Sequence, residues 1–179
     1  MAVLPILIAP HPTLKAKAKP VKDVTDELRA LLDDMLETMY DAPGIGLAAN
    51  QIGSLHRVLV MDCGSRDDEE TPRPIKIINP EITGVSEELS SYEEGCLSIP
   101  EQFAEVDRPA VVRVKYLDEN GQKHERLFEG LEATCVQHEI HNLDGILFVD
   151  HCSNPKRNML RNQPENYLTP RHDADSPDS

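Results

Sequence analysis

The sequence predicts an α+β domain in which short antiparallel strands pack around a central helix that carries the chemistry. Three observations lead there. Leu28, Leu31, Leu32, Met35, Leu36 and Met39 recur at helical spacing and form one apolar stripe. Stretches 57–62, 75–78 and 111–117 are rich in Val and Ile and bounded by turn residues, as strands are. A second helical stretch, 129–142, brings Leu131, Cys135, His138 and Asn142 onto one face.

The elements follow in order. Val3-Leu4-Pro5-Ile6-Leu7-Ile8 is short, broken by proline and preceded by no positive charge, so it is not a signal peptide. Thr25 suits the N-cap of the first helix, and Asp26 and Glu27 complement the positive end of its dipole. Pro43 and Gly44 stop that helix. The acidic run 66–70, followed by Pro72 and Pro74, reads as a solvated loop. Asp118-Glu119-Asn120-Gly121 predicts a type I′ hairpin turn, because Asn-Gly tolerates the positive φ such a turn needs, with 123–128 as the returning strand. Gly145 ends the second helix. Periodicity fades after 146–149. The expected division is a catalytic domain over 1–162 and a polar, proline-containing, disordered tail over 163–179.

Composition sets the class. With 179 residues, 39% hydrophobic and 28% charged, the chain suits one globular domain with a real core. No apolar run approaches the ~20 residues a membrane span needs, so a cytoplasmic enzyme or binding domain is expected. The net charge of −14, from 32 acidic and 18 basic residues, repels phosphate backbones and argues against a general nucleic-acid binder. Cys63, Cys96, Cys135 and Cys152 show no CxxC spacing and read as reduced thiols, one of them a candidate ligand.

Three separated segments carry chemistry: Gly44-Ile45-Gly46-Leu47-Ala48-Ala49-Asn50-Gln51, Glu94-Gly95-Cys96-Leu97-Ser98 and Gln137-His138-Glu139-Ile140-His141-Asn142. Two histidines at i and i+4 on a helix can grip one metal ion, with the glutamate between them placed to handle a water proton. Together the segments resemble the three signature motifs of the peptide deformylase family, over about residues 4–150. The third motif departs from His-Glu-x-x-His: Asn142 stands where the second histidine belongs, and His141 stands one place early, where the family has aspartate.

The resemblance implies a peptide-deformylase-like fold and a hydrolase that removes the formyl group from N-terminal formylmethionine. Its partners would be N-formylmethionyl nascent peptides, with the ribosome as one place to meet them, while composition argues against a membrane and against general nucleic-acid binding. It implies one divalent metal ion, Fe²⁺ with Zn²⁺ or Ni²⁺ as substitutes, held by Cys96, His138 and the residue at the third ligand position, Asn142. His141 is the alternative third ligand, if the helix tightens to 3₁₀ winding there. The metal would activate a water for attack on the formyl carbon. Glu139 would take the water's proton and return it to the leaving amine. The Gln51 amide and the Leu97 backbone N–H would donate to the oxyanion. Gly44, Ile45 and Gly46 would admit the substrate backbone, the two glycines through conformations barred to other residues. Leu131 and Cys135 would wall a methionine pocket, core packing being the other explanation of that pair. The departure at 141–142 leaves two further readings: a weakened or inactive relative that binds N-terminal peptides, and a domain with a purely structural metal.

Overall fold

The structure is a computed structural model that describes residues 2–64 and 72–151. The acidic run 66–70, Cys152 and the tail 163–179 lie outside the described residues. Helix α1 spans Asp26–Asp41; Thr25 Oγ1 accepts the Leu28 N–H at 3.1 Å, the cap its sequence predicts. The helix ends before Pro43, and the Gly44 N–H closes on the Met39 carbonyl at 2.7 Å.

After α1 come β1 (Gly46–Ala48), β2 (Val58–Met61), β3 (Ile75–Val85), β4 (Leu89–Cys96), β5 (Ile99–Pro109), β6 (Val111–Leu117), β7 (Lys123–Glu129) and helix α2 (Gly130–Leu143). Five strands form one antiparallel sheet in the order β1-β2-β3-β6-β7, and β4 and β5 form a separate two-stranded sheet. The period-2 alternation of β2 explains the layering. Val58 and Val60 join Leu28, Leu32, Met35 and Met39 of α1 in one apolar cluster. Leu59 and Met61 join Val136, Ile140 and Leu143 of α2 in another. The sheet therefore lies between the two helices, and α2 has its own core behind it. Among the described residues, no helix is long and apolar enough to cross a membrane.

Some strands are longer or more numerous than the sequence suggests. Its pattern marks only residues 75–78 of β3, which continues to Val85 through register shifts at Asn79 and Thr83. Asn79 takes a left-handed φ of 54° there, and its side chain bonds both the N–H and the C=O of Val21, at 2.7 and 2.9 Å. Such a φ suits Asn better than other residues bearing side chains. Strands β4 and β5 carry no clear pattern because their faces are largely polar and solvated, with proline at both ends of the β5 stretch. The turn after β6 is also not type I′: Gly121 has positive φ (79°) but Asn120 does not, and the Gly121 N–H bonds the Asp118 carbonyl at 2.9 Å. That is a turn followed by a left-handed glycine, the G1-bulge alternative for hairpins. Gly145 stops α2 as expected, with φ 81° and no room for a Cβ, which would meet the Lys15 carbonyl oxygen at 2.4 Å.

Candidate active site

The three motif segments converge on one cavity of about 650 Å³. Its wall includes Gly44, Ile45, Gly46, Gln51, Cys96, Leu97, Leu131, Cys135, His138 and Glu139. His141 and Asn142 are buried behind that wall. The β4–β5 hairpin delivers the thiol. Cys96 pairs with Ile99 across the turn residues Leu97 and Ser98, and a register shift after Gly95 turns the strand there. The Phe103 ring lies on Gly95, where a Cβ would come within 2.5 Å of Phe103 Cε1. A side chain at 95 would have to displace the exposed Phe103 ring next to the thiol.

Helix α2 delivers the imidazole and the carboxylate from a buried face. The Glu94 carboxylate organises them. Oε1 contacts His138 Nδ1 at 2.9 Å, while Arg108 grips both oxygens, Nε to Oε2 at 2.7 Å and Nη2 to Oε1 at 3.0 Å. A bidentate guanidinium fixes orientation as well as charge. Burial alone would raise the Glu94 carboxyl; the Arg108 charge and the hydrogen bonds from His138 and Arg108 overcome it and hold the group near a pKa of about 2. Burial would lower His138, yet the Glu139 charge and the hydrogen bonds with Cys96 and Glu94 lift it to about 10. With Nδ1 on Glu94, the other ring nitrogen is left to face Cys96. Glu139 is pushed up, first by burial, against the opposing His138 charge and the Asn142 hydrogen bond. A raised carboxyl suits a group that must both accept and deliver a proton.

Gln51 sits between these parts. Its Oε1 accepts the Ala48 N–H at 2.9 Å, and its Nε2 donates to Ser98 Oγ at 3.1 Å and lies 3.6 Å from Cys96 Sγ. Asn142 Nδ2 lies 3.1 Å from Glu139 Oε1 and 3.4 Å from Gln51 Oε1, while the buried Asn142 Oδ1 has no hydrogen-bond partner among the described residues. Leaving such an acceptor unsatisfied costs about 1–3 kcal/mol. A thiol and an imidazole nitrogen on one cavity wall suit a divalent cation, while the carboxamide of Asn142, buried behind that wall, would be a weak third donor; among the described residues no three His, Cys, Asp or Glu side chains are grouped to hold an ion.

Two expectations change. Gly44 and Gly46 do not take positive φ; they make room. A Cβ on Gly46 would lie 2.5 Å from Glu139 Oε2 and 2.8 Å from Cys135 Sγ, and one on Gly44 would lie 2.9 Å from Leu97 Cδ1. Helix α2 is regular α-helix through Leu143, so the 3₁₀ tightening that would swing His141 round is absent; its Nδ1 instead lies 2.9 Å from Arg108 Nη1.

The motifs alone do not point to Glu94, Arg108, Ser98 or Asn50 as working parts. Glu94 carries a signal, its place beside Gly95-Cys96. Arg108, only 1% exposed, carries none, because nothing in Asp107-Arg108-Pro109 marks a buried charge. Asn50 donates to the backbone carbonyl of Asn142 and fastens the first motif to the third.

A hairpin with cysteine at its tip, folded onto a buried His-Glu helix beside an antiparallel sheet, defines a class of small metal-dependent hydrolases. The family model described as polypeptide deformylase matches residues 3–158, and the chain belongs to that family. It is 57% identical over 164 residues to a peptide deformylase of Rhizorhabdus wittichii, covering 89% of this chain and 92% of that one. It is 58% identical over 160 residues to one of Mesorhizobium japonicum, covering 89% and 90%. Among solved structures, the peptide deformylase of Ehrlichia chaffeensis superimposes with a TM-score of 0.81 at 38% identity, over 88% of this chain and 92% of that chain.

Proposed function

We propose that this protein hydrolyses the formamide at the N-terminal formylmethionine of newly made polypeptides, in the cytoplasm, releasing formate and a free amine. The observation that carries the reading is the meeting of Gln51, Cys96, His138 and Glu139 in one cavity, from three distant segments. Cys96 and His138 would hold the divalent metal, with Asn142 at the family's third ligand position as a weak third donor. When bound, the metal supplies Lewis acidity and lowers the pKa of water.

The chain's own groups do the rest. Glu139, its carboxyl already raised, takes the proton of the attacking water and passes it to the amine nitrogen as the C–N bond breaks. The Gln51 Nε2 and the Leu97 backbone N–H donate to the formyl oxygen as it gains charge. Gly44, Ile45 and Gly46 receive the peptide backbone. Leu131, which is 40% exposed, and Cys135 receive the methionine side chain. A hydrogen bond with Cys63 and burial push the Cys135 thiol up, so it serves as a neutral apolar wall.

The test is formate release from formyl-Met-Ala-Ser by protein reconstituted with Fe²⁺ or Ni²⁺, beside acetyl-Met-Ala-Ser as control. Formate from the first peptide and no cleavage of the second is the expected outcome. No formate with any of Fe²⁺, Ni²⁺ or Zn²⁺ would refute the reading.

A further inference from the structure

We infer that Cys63 and Cys135 form a dithiol that peroxide converts to a reversible disulfide, and that this cross-link deforms the cavity wall at Ile45 and Cys135. The inference goes beyond the deformylase reading, since the cross-link itself needs no turnover. Strand alternation brings the two thiols together. Leu59 and Met61 of β2 point into the α2 core, and Cys63, two residues on, packs against that same cluster. Asp62, between Met61 and Cys63, points the other way, to Tyr40 of α1. Cys135 enters the cluster from the helix side and is 3% exposed. The Asp62 N–H bonds the Ile45 carbonyl at 2.8 Å, and Cys135 Sγ donates to that same carbonyl at 3.5 Å. The chain just past β2 and the thiol of α2 thus meet at one peptide group. The Cys63 and Cys135 thiols are in hydrogen-bond contact.

Cys63 is half-buried and Cys135 buried, so an oxidant from solvent reaches Cys63 first. Oxygen transfer from hydrogen peroxide turns the Cys63 thiol into a sulfenic acid and releases one water. The Cys135 sulfur then attacks the Cys63 sulfur. The S–S bond forms, the S–O bond breaks, and the hydroxyl leaves with the Cys135 proton as a second water. A disulfide holds its sulfurs about 2.05 Å apart, far closer than a hydrogen bond does. Cys135 Sγ therefore moves off the Ile45 carbonyl and out of the space beside Gly46, where a Cβ would lie 2.8 Å from it. Ile45, Gly46 and Cys135 all line the cavity. A transient, oxidant-responsive disulfide is the kind that a reducing compartment tolerates.

The experiment exposes the full chain, reconstituted with Ni²⁺, to hydrogen peroxide and then blocks free thiols with N-ethylmaleimide. Digestion with trypsin and Glu-C puts Cys63, Cys96, Cys135 and Cys152 on separate peptides, and mass spectrometry reads the linkage. A Cys63–Cys135 cross-link that a phosphine reductant removes is the expected result. In the oxidised parent, kcat/KM for formyl-Met-Ala-Ser should fall about tenfold or more, the effect of a methylene-sized change in an apolar pocket. Reduction should restore it, and Cys63→Ser should keep its rate through the same treatment. Should Cys63→Ser fail to fold by near-UV circular dichroism, the linkage in the parent carries the test. Cys63 recovered blocked by maleimide, overoxidised, or joined to Cys96 or Cys152 would overturn the inference. So would a cross-linked protein as active as the reduced one, or an equal, reducible loss in Cys63→Ser, which would put the oxidation at Cys96. If no state of the parent releases formate, the proposed function falls and the linkage alone decides the inference.

Discussion

At the scale of single residues, the site is built from groups that leave each other no slack. Gly46 shows it. The space a Cβ would need there is taken by Glu139 Oε2 and Cys135 Sγ, 2.5 and 2.8 Å from where it would sit. Gly46→Ala must therefore move the carboxylate, and a displacement near 1 Å can cost on the order of 100-fold in rate. We expect kcat to fall by about that factor while Co²⁺ still binds, since neither Cys96 nor His138 is among the nearest neighbours of the new methyl; unchanged kcat would contradict the packing argument. Gln51 is the complementary case. Gln51→Ala removes one oxyanion donor, so kcat should drop by about 10²–10³, the usual cost of such a loss. A smaller effect than that of a Leu97 side-chain change would place the oxyanion elsewhere. The residues behind these predictions were legible as motifs, but their mechanical roles were not. Glycine in a sequence signals freedom of backbone, and only the packed structure reveals that here it signals space.

Among the elements, the polar ties decide how the site is held. The N-terminal segment bonds two motifs at once, the Leu7 N–H to the Gln51 carbonyl at 2.7 Å and the Ala9 N–H to the Ser98 carbonyl at 2.9 Å. The end of α1 is tied to the residue that follows β2 by Tyr40, whose hydroxyl donates to Asp62. Burial first, then the hydrogen bond and charge of Asp62, push the Tyr40 hydroxyl up to about 12. For Asp62, burial works upward, but the Tyr40 hydroxyl, the Arg73 and Gly64 N–H groups and the Arg73 charge together hold the carboxyl below its ordinary 3.8. A depressed carboxyl contributes stability above its unfolded pKa and loses it as pH falls through the folded one. Tyr40→Phe should therefore cost about 0.5–1.5 kcal/mol near neutral pH, and the gap between parent and variant should narrow in strong acid. Urea midpoints at the two pH values measure it, and a gap independent of pH would sink the assignment. The helices and the apolar strands β2 and β6 were legible because burial on one or both faces writes a period into the sequence. The β4–β5 hairpin was not, since Glu101, Gln102, Phe103 and Glu105 face solvent and leave no such period. Its function could be read from Glu94-Gly95-Cys96 before its structure could.

For the whole molecule, the sheet separates the α1 core from the α2 core, and a third cluster around Leu14, Ile99 and Phe148 backs Cys96; the α1 core contains no metal-ligand or acid–base side chain, although Leu97 packs against it. Leu32 lies in the α1 core with Val58 and Val60, across the sheet from α2. Leu32→Ala should cost about 2–5 kcal/mol. It should leave kcat/KM at low temperature essentially unchanged, because Cys96, His138 and Glu139 lie outside that cluster. A fall in kcat/KM matching the loss of stability would show that the two cores act as one. Family membership and fold rest on the whole chain's likeness, whereas activity rests on the few side chains where the last turn of α2 departs from His-Glu-x-x-His. The most direct measurement is kcat/KM for formyl-Met-Ala-Ser beside metal content, in the parent and in Glu139→Gln. The parent should turn over measurably, and the variant should keep its metal with a rate lower by about 10²–10⁴, the usual worth of a positioned acid–base group. Near-normal turnover by Glu139→Gln, or a metal-loaded parent that releases no formate, would contradict the roles given to these residues.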